Sequence, residues 1–473
     1  MTSALSWGFV MRVSRVASVA LLAVLLAGVP RAVQAYPTAN LSVEIIAGGP
    51  PPAAAFVANF SDVHQTIDGF GASNAWVGNL NPPTLDALYC VNATDPGCSG
   101  PGIGLTLLRE GIDTTDNGVS AFIDTVPYSQ CNPITSTCVP SEVSAAGAKA
   151  RGATLFATPW IVSDSNQATA AQGLANWAAA QAAAGIPIYA MTTGNEVDCC
   201  SSYPFFPNDT ANFVKILGPM LHGMSVKLIS PEVEDPANFS SYVSAIEGDS
   251  AANAQVDIFS THQYGCGITC MSVDGTRHVW EDEASDFTSG PDNSLNNALS
   301  LSQHWIYDAI VTVGLNAWNY WNSVCGEGNP CDAGIVGDVA ASGSVALPKR
   351  YFGIGNWSKF VRPGWVRIGT SGPGYSNIYV AAFKSPDSSK FAIIALNYGS
   401  DAPNVTFGLQ NATITGNVTP YVTSGTPIDV IGTDGNLSAG SASSGVPSSL
   451  VPNAGVFTST VPYGITTFVG TAR

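Results

Sequence analysis

Residues Ile186–Cys200 read IPIYAMTTGNEVDCC. Ile186, Ile188, Tyr189 and Met191 give the stretch the character of a buried strand, and it ends in two Thr, a Gly, Asn195 and Glu196. A carboxylate at the end of an apolar run is costly if it is desolvated and unpaired. Strand ends that open into a pocket are where such a residue works, and Asn195 beside it can hydrogen-bond a hydroxyl. A second stretch, Arg277–Ala284 (RHVWEDEA), ends in the same way.

Around these two, the pattern strand, loop, helix repeats from about Thr66 to Val324. The strand candidates are Thr66–Ala72, Leu105–Ile112, Ala153–Trp160, Ile186–Glu196, Val226–Glu232, Val256–Tyr264, Arg277–Ala284 and Leu315–Val324. Most are continuous apolar runs, as parallel strands covered on both faces require. Helical patterns lie between them at Ser141–Arg151, Gln167–Ala184, Asp209–His222, Asn238–Glu247 and Leu295–Val313. Eight strands alternating with helices give an α/β fold, the (β/α)8 TIM barrel. Between the sixth and seventh strands the helix is missing or very short, and a loop with Gly and Cys replaces it.

Beyond Tyr351 the pattern changes to short alternating strands with Ser, Gly, Thr and Pro turns, the mark of a β-sandwich. The candidates are Trp365–Gly369, Ile378–Ser385, Lys390–Tyr398, Val405–Leu409, Ile414–Val422 and Ile465–Val469, with Thr433–Ser449 read as a loop. Two earlier strands, Leu41–Ile46 and Ala54–Val63, are expected to pair with them. The division is then 1–35 leader, 36–64 N-terminal strands of the side sandwich, 65–348 barrel, and 349–473 C-terminal sandwich domain.

The chain has 473 residues, 45% hydrophobic and only 11% charged, with a formal net charge of −17. Arg12 and Arg15 precede an apolar run from Val16 to Gly28, and Val33-Gln34-Ala35 offers a cleavage site, so a signal peptide and an extracellular destination are expected. Losing it removes Arg12, Arg15 and Arg31 and no acid. So acidic a surface repels nucleic acid and anionic membranes and suits a neutral polymer such as a polysaccharide. No later stretch is long enough to be an integral membrane segment. The ten Cys suit disulfides, with Cys90–Cys98, Cys131–Cys138 and Cys325–Cys331 as the short-loop pairs and Cys199, Cys200, Cys266 and Cys270 open to several pairings. A zinc site lacks a matching His cluster. Ten N-x-S/T sequons, at Asn40, Asn59, Asn92, Asn208, Asn238, Asn356, Asn404, Asn411, Asn417 and Asn436, suggest a glycoprotein.

A barrel carries its active site at the C-terminal ends of its strands. Those ends supply Ser73, Asn74, Trp76, Arg109, Glu110, Trp160, Asn195, Glu196, Glu232, His262, Tyr264, Trp280, Glu281, Asp282, Glu283, Trp318, Tyr320 and Trp321. Sugars present flat C–H faces and a rim of hydroxyls, so a ring of aromatics around carboxylates suits them. Two facing carboxyl groups are the minimum equipment for splitting a glycosidic bond.

QTIDGFGASNAW (65–76), GNE (194–196), WEDE (280–283), RYFGIGNWSKFVRPGWVRI (350–368) and VPYGITTFV (461–469) resemble glycoside hydrolase family 30. The resemblance covers nearly the whole chain after the leader. It implies the barrel with an all-β side sandwich built from both chain ends, and retaining hydrolysis by a double displacement. Carried over, it implies Glu196 as acid/base and Glu283 as nucleophile, with Trp76, Arg109, Trp160, Asn195, His262, Tyr264 and Trp321 around the substrate. Two positions depart from the family pattern: Asp282 stands where Thr is usual, and Val197 where Pro is usual. Strand alternation puts Glu281 and Glu283 on one face and Asp282 on the other, which leaves Glu281 as a rival nucleophile. Glu283 needs donors, for which Arg109 and Tyr264 are candidates. Burial and the anionic Glu283 are expected to raise the pKa of Glu196.

The expectation is a secreted O-glycosyl hydrolase, endo-acting on a cell-wall polysaccharide, most simply xylan, monomeric and needing no metal or cofactor. β-1,6-Glucan, β-1,6-galactan and glucosylceramide are the alternative substrates within the family. A non-catalytic carbohydrate-binding protein is the alternative from another class. Dependence on glucuronate side chains would imply an Arg in the loop after the eighth strand, and Ser323–Leu347 has none.

Overall fold

The structure, a computed structural model, describes residues 55–75, 80–112, 140–160, 166–199, 205–287, 294–324, 334–337, 345–425, 436–440 and 445–473. The leader, Leu41–Ile46, Trp76, Cys131, Cys138, Cys200, Cys325 and Cys331 lie outside these. The first described element is strand β1 (Ala55–Thr66). The next eight strands are β2 (Gly69–Ser73), β3 (Leu107–Ile112), β4 (Thr154–Pro159), β5 (Ala190–Thr192), β6 (Lys227–Ile229), β7 (Ile258–His262), β8 (His278–Ala284) and β9 (Ala317–Asn322). They close in chain order into a parallel barrel, with β9 returning to β2. All eight expected strands are present, although β5 contracts to three residues. After Thr192 the chain turns away, and Glu196 sits in that turn at φ +49°.

The foot of the barrel is plugged by Leu107, Phe156, Ala190, Ile229, Ile258, Trp280 and Ala317, one from each of β3 to β9. Each is at most 2% exposed, so the lower interior is dry and polar chemistry is confined to the upper half. Gly71 is needed because any side chain there would run into Asn319 and Leu107. The outer helices begin on sequence signals. Asn166 caps Gln167–Ala183 by accepting from Thr169 N, and Asp235 caps Pro236–Gly248 by accepting from Ala237 N. Only a single 3-10 turn, Ile268–Cys270, stands between β7 and β8, and Cys266–Cys270 bridges it. Cys266 and Cys270 are thereby unavailable to Cys199. Cys90–Cys98 forms as expected.

The remaining strands are β10 (Val366–Ser371), β11 (Ile378–Lys384), β12 (Lys390–Asn397), β13 (Asn404–Gln410), β14 (Thr419–Ser424), β15 (Asn436–Ala439), β16 (Val456–Thr460) and β17 (Gly464–Thr471). With β1 they make one sheet, ordered β15-β14-β17-β12-β11-β10-β1-β13-β16. β1 runs antiparallel to β10 and parallel to β13, so the N-terminal strand lies inside a sheet otherwise made from the C-terminal part. The sheet folds over its own core. Phe407 of β13 meets Phe468 of β17 at 4.7 Å between ring centroids, although those strands are not neighbours. β15 falls within Thr433–Ser449, expected to be loop; only its short span, Asn436–Ala439, pairs with β14.

The stretch 350–368 begins in a helix, Lys349–Ser358, and reaches the first C-terminal strand only at Val366. All ten of its residues are buried, which explains its Gly and aromatic content. It joins the two halves. Arg350 reaches Asp286 and the Tyr320 hydroxyl in the barrel, while Asn356 meets Thr423 and Thr467 in the sheet. Asn356 and Asn436 are fully buried, which removes those two sequons as glycan acceptors. Among the described residues no helix is long and apolar enough to cross a membrane.

Candidate active site

At the C-terminal end of the barrel lies a cleft of about 310 Å³ lined by Trp160, Asn195, Glu196, Glu234, Tyr264, Glu283, Phe287 and Trp321. Two aromatic pairs flank it. Trp160 and Trp321 meet at 5.5 Å between centroids, and Tyr264 and Phe287 at 5.0 Å. Of the sequence candidates, Trp160, Asn195, Glu196, Tyr264, Glu283 and Trp321 reach this one cleft. Trp76 lies outside the described residues.

The two carboxylates lie close together. One oxygen of Glu196, one of Glu283 and a ring nitrogen of His262 all lie within 4.8 Å of one another. Glu283 is 7% exposed at its side chain and Glu196 16%. Each oxygen of Glu283 has its own donor, Arg109 Nη1 on Oε2 and the Tyr264 hydroxyl on Oε1 at 2.9 Å.

Arg109 and His262, expected around the substrate, lie beneath the cleft and are not among the residues that line it. Both are fully buried. The Arg109 fork also binds Glu232, Asn195 Oδ1 at 2.6 Å and Thr158 Oγ1 at 3.1 Å. A planar guanidinium suits this task because its several donors are fixed in one plane. His262 directs Nδ1 at Glu196 (3.3 Å) and Glu283 (3.8 Å), and Nε2 at Glu232 (3.4 Å) and Asp282 (3.8 Å). Burial alone would depress its pKa. Four surrounding carboxylates, Glu283 foremost, raise it well above the usual histidine value, so His262 is an imidazolium. Glu232 is an ion-pairing acid, set between Arg109 and His262.

Glu196 departs from expectation. Burial pushes its pKa up, but the hydrogen bond and charge of His262, and then the charge of Arg109, outweigh this, and the net shift is downward. The sequence shows Glu283 nearby but gives no sign that His262 is charged and lies between the two acids.

Strand alternation also fails in β8. Thr261 pairs with Glu281 and His262 with Glu283, so Asp282 has no partner on β7 and the strand bulges there. The bulge brings both Asp282 and Glu283 to the buried cations. Glu281 is fully buried against β9, where its Oε2 accepts from Asn319 N at 3.1 Å, and it does not reach the cleft. Burial, then the charge of a neighbouring acid, raises the pKa of Glu281 and Asp282 well above the carboxylate range.

Trp280, Trp318 and Tyr320 are core residues, each at most 1% exposed, so three of the seven aromatics in the expected ring pack instead. Glu234 and Phe287 line the cleft without having been anticipated. Their signal was position alone: Glu234 follows Glu232 by two residues, and Phe287 follows Glu283 by four.

No family model matches the chain. The Bacillus subtilis (strain 168) protein named glucuronoxylanase XynC is 25% identical over 404 residues, which is 77% of this chain and 83% of that protein. A GH30 endoxylanase from Clostridium papyrosolvens C71 superposes with a TM-score of 0.69 at 24% identity, covering 88% of this chain and 100% of its own. The catalytic domain of GH30 xylanase C from Talaromyces cellulolyticus gives 0.69 at 19%, covering 89% and 100%. These two structures bear on the fold. A match of 404 residues is longer than the barrel, so the likeness takes in the side sheet as well. On this shared architecture, and on the motifs that run through both halves, the chain is similar throughout to proteins of glycoside hydrolase family 30.

Proposed function

We propose that the protein is a retaining β-glycoside hydrolase that cleaves xylan within the polymer, with Glu283 as nucleophile and Glu196 as acid/base. The observation that carries this is the separation of the two carboxylates, whose facing oxygens lie within 4.8 Å. Retaining enzymes hold the pair about 5 Å apart, whereas inverting ones need roughly 6.5–9.5 Å to admit a water.

Glu283 attacks the anomeric carbon, and the glycosidic bond breaks as Glu196 gives a proton to the leaving oxygen. Arg109 and Tyr264 each donate to one oxygen of Glu283 and so hold its carboxyl group aimed. His262 and Glu196 share a proton across 3.3 Å, so the acid form of Glu196 is one short transfer away. Once Glu283 is esterified its charge is gone, and Glu196 becomes the stronger acid and so the base for the second step. It takes a proton from water, whose oxygen attacks the anomeric carbon and releases Glu283. Trp160, Trp321, Tyr264 and Phe287 offer faces on which sugar rings stack.

Xylan is supported by the xylanase names of the relatives and neighbours. Secretion is supported by the leader-like first 35 residues and the disulfides, and glycosylation by the exposed sequons at Asn92, Asn208, Asn238, Asn404, Asn411 and Asn417. The test is hydrolysis of xylan, β-1,6-glucan, β-1,6-galactan and glucosylceramide by the wild type, Glu196→Gln and Glu283→Gln, with the first-formed anomer followed by NMR. Xylan cleavage yielding the β-anomer first, lost by several orders of magnitude in Glu283→Gln, is expected. Wild-type turnover in Glu283→Gln, or the α-anomer first, refutes the assignment.

A further inference from the structure

Among the described residues, every charged side chain that lines the cleft is an acid: Glu196, Glu283 and Glu234. The stretches that follow the barrel strands, 74–81, 113–139, 160–166, 193–206, 230–235, 263–276, 285–294 and 323–348, contain no Lys or Arg at all. The two cations beneath the cleft, Arg109 and His262, are fully buried and already engaged with carboxylates. Glu196 and Glu283 are there for the chemistry. Glu234 is not: it faces the same space, is partly exposed, and no ion pair to it occurs among the described residues. It is held in place from behind, because the Asp198 carboxylate accepts from Glu234 N at 2.6 Å and Asp235 N at 3.2 Å and so fixes the backbone.

Resting on the xylanase reading, we propose that Glu234 is a specificity-determining residue that excludes uronate-bearing sugars from the cleft and directs cleavage to neutral stretches of xylan. A uronate carboxylate placed beside Glu234 meets a second anion and no exposed cation. The repulsion acts across a narrow, partly dewatered gap, where unit charges several ångströms apart change rates by about threefold to tenfold and salt weakens the effect.

The groups facing Glu234 give the discrimination a pH dependence. Burial, then Asp198 and Glu196 on the turn after β5 and the adjacent Asp235, push its carboxyl above the usual range, while His262 on β7 opposes them. A group whose pKa is raised ionises later as pH rises. Discrimination therefore fades as pH falls through that raised value.

The experiment compares kcat/KM of the full-length wild type on glucuronoxylan and on the same polymer after carboxyl reduction, which converts each uronate to a neutral sugar of the same shape. The expected result is a threefold to tenfold preference for the reduced polymer at low salt, shrinking at high salt and at acid pH. In Glu234→Gln the ratio of the two kcat/KM values should approach one. Equal or faster cleavage of the uronate form by the wild type overturns the proposal, as does an unchanged ratio in a folded Glu234→Gln. Cleavage of neither polymer would instead overturn the xylanase reading itself, and this inference with it.

Discussion

Replacing Arg109 by Met keeps the bulk of the side chain and removes the cation on which two buried carboxylates depend. Glu232 and Glu283 are 0% and 7% exposed at their side chains, so neither can turn to water for compensation. Breaking a buried ion pair from one side costs about 3–5 kcal/mol. An independent bound gives a similar figure. A stranded carboxylate can take up a proton, and for an ordinary carboxyl of pKa about 4.3 this costs about 4 kcal/mol at pH 7 and about 1.4 kcal/mol less for each unit of acidification. The expected loss in Arg109→Met is therefore about 4 kcal/mol at pH 7 and roughly 1–2 kcal/mol at pH 5. The sign follows from linkage. The folded variant binds more protons than its unfolded chain, so its stability rises as pH falls, relative to the wild type. Urea unfolding followed by Trp fluorescence at both pH values measures this. A penalty below about 1 kcal/mol at pH 7, or one that does not shrink in acid, would refute the view of Arg109 as the neutralising centre of the site.

Two further perturbations test the neighbours of Arg109. In His262→Gln the groups that lower the Glu196 pKa lose their chief member while burial remains, so the alkaline limb of the pH–kcat/KM profile should move to higher pH; an unmoved limb would show that His262 does not govern Glu196. In Tyr264→Phe the 2.9 Å hydrogen bond to Glu283 is lost, and since a bond to a charged group is worth about 1.5–3 kcal/mol, kcat on xylan should fall about tenfold to a hundredfold. A change below twofold would mean that this hydroxyl does not support the nucleophile.

The barrel was legible because its strands are buried on both faces and so read as apolar runs, and because the helices between them carry their own stop and cap signals. The carboxylates were legible because Glu196 and Glu283 each close such a run. What could not be read was whatever depends on contacts between distant segments. The bulge at Asp282 arises from pairing with β7, and alternation counted along β8 alone sends Asp282 the wrong way. The charge state of Glu196 depends on an imidazole 66 residues away in sequence. Trp280 and Trp318 look like binding aromatics until the depth of the barrel is known. The helix Lys349–Ser358 was not singled out because its Gly residues weaken the helical signal; their use is to let Ala298, Ile103 and Leu437 approach closely.

The position of β1 bears on how the chain is assembled. On a ribosome this strand emerges before any barrel strand, yet β10 and β13, the neighbours that flank it, are translated only after the whole barrel has been made. Through that interval its apolar residues, Ala58 and Phe60 among them, have no native place to go. Completing the side sheet is therefore a late event that ties the start of synthesis to its finish. A nascent chain stalled anywhere in the barrel would present an unpaired edge to chaperones or to other copies of itself.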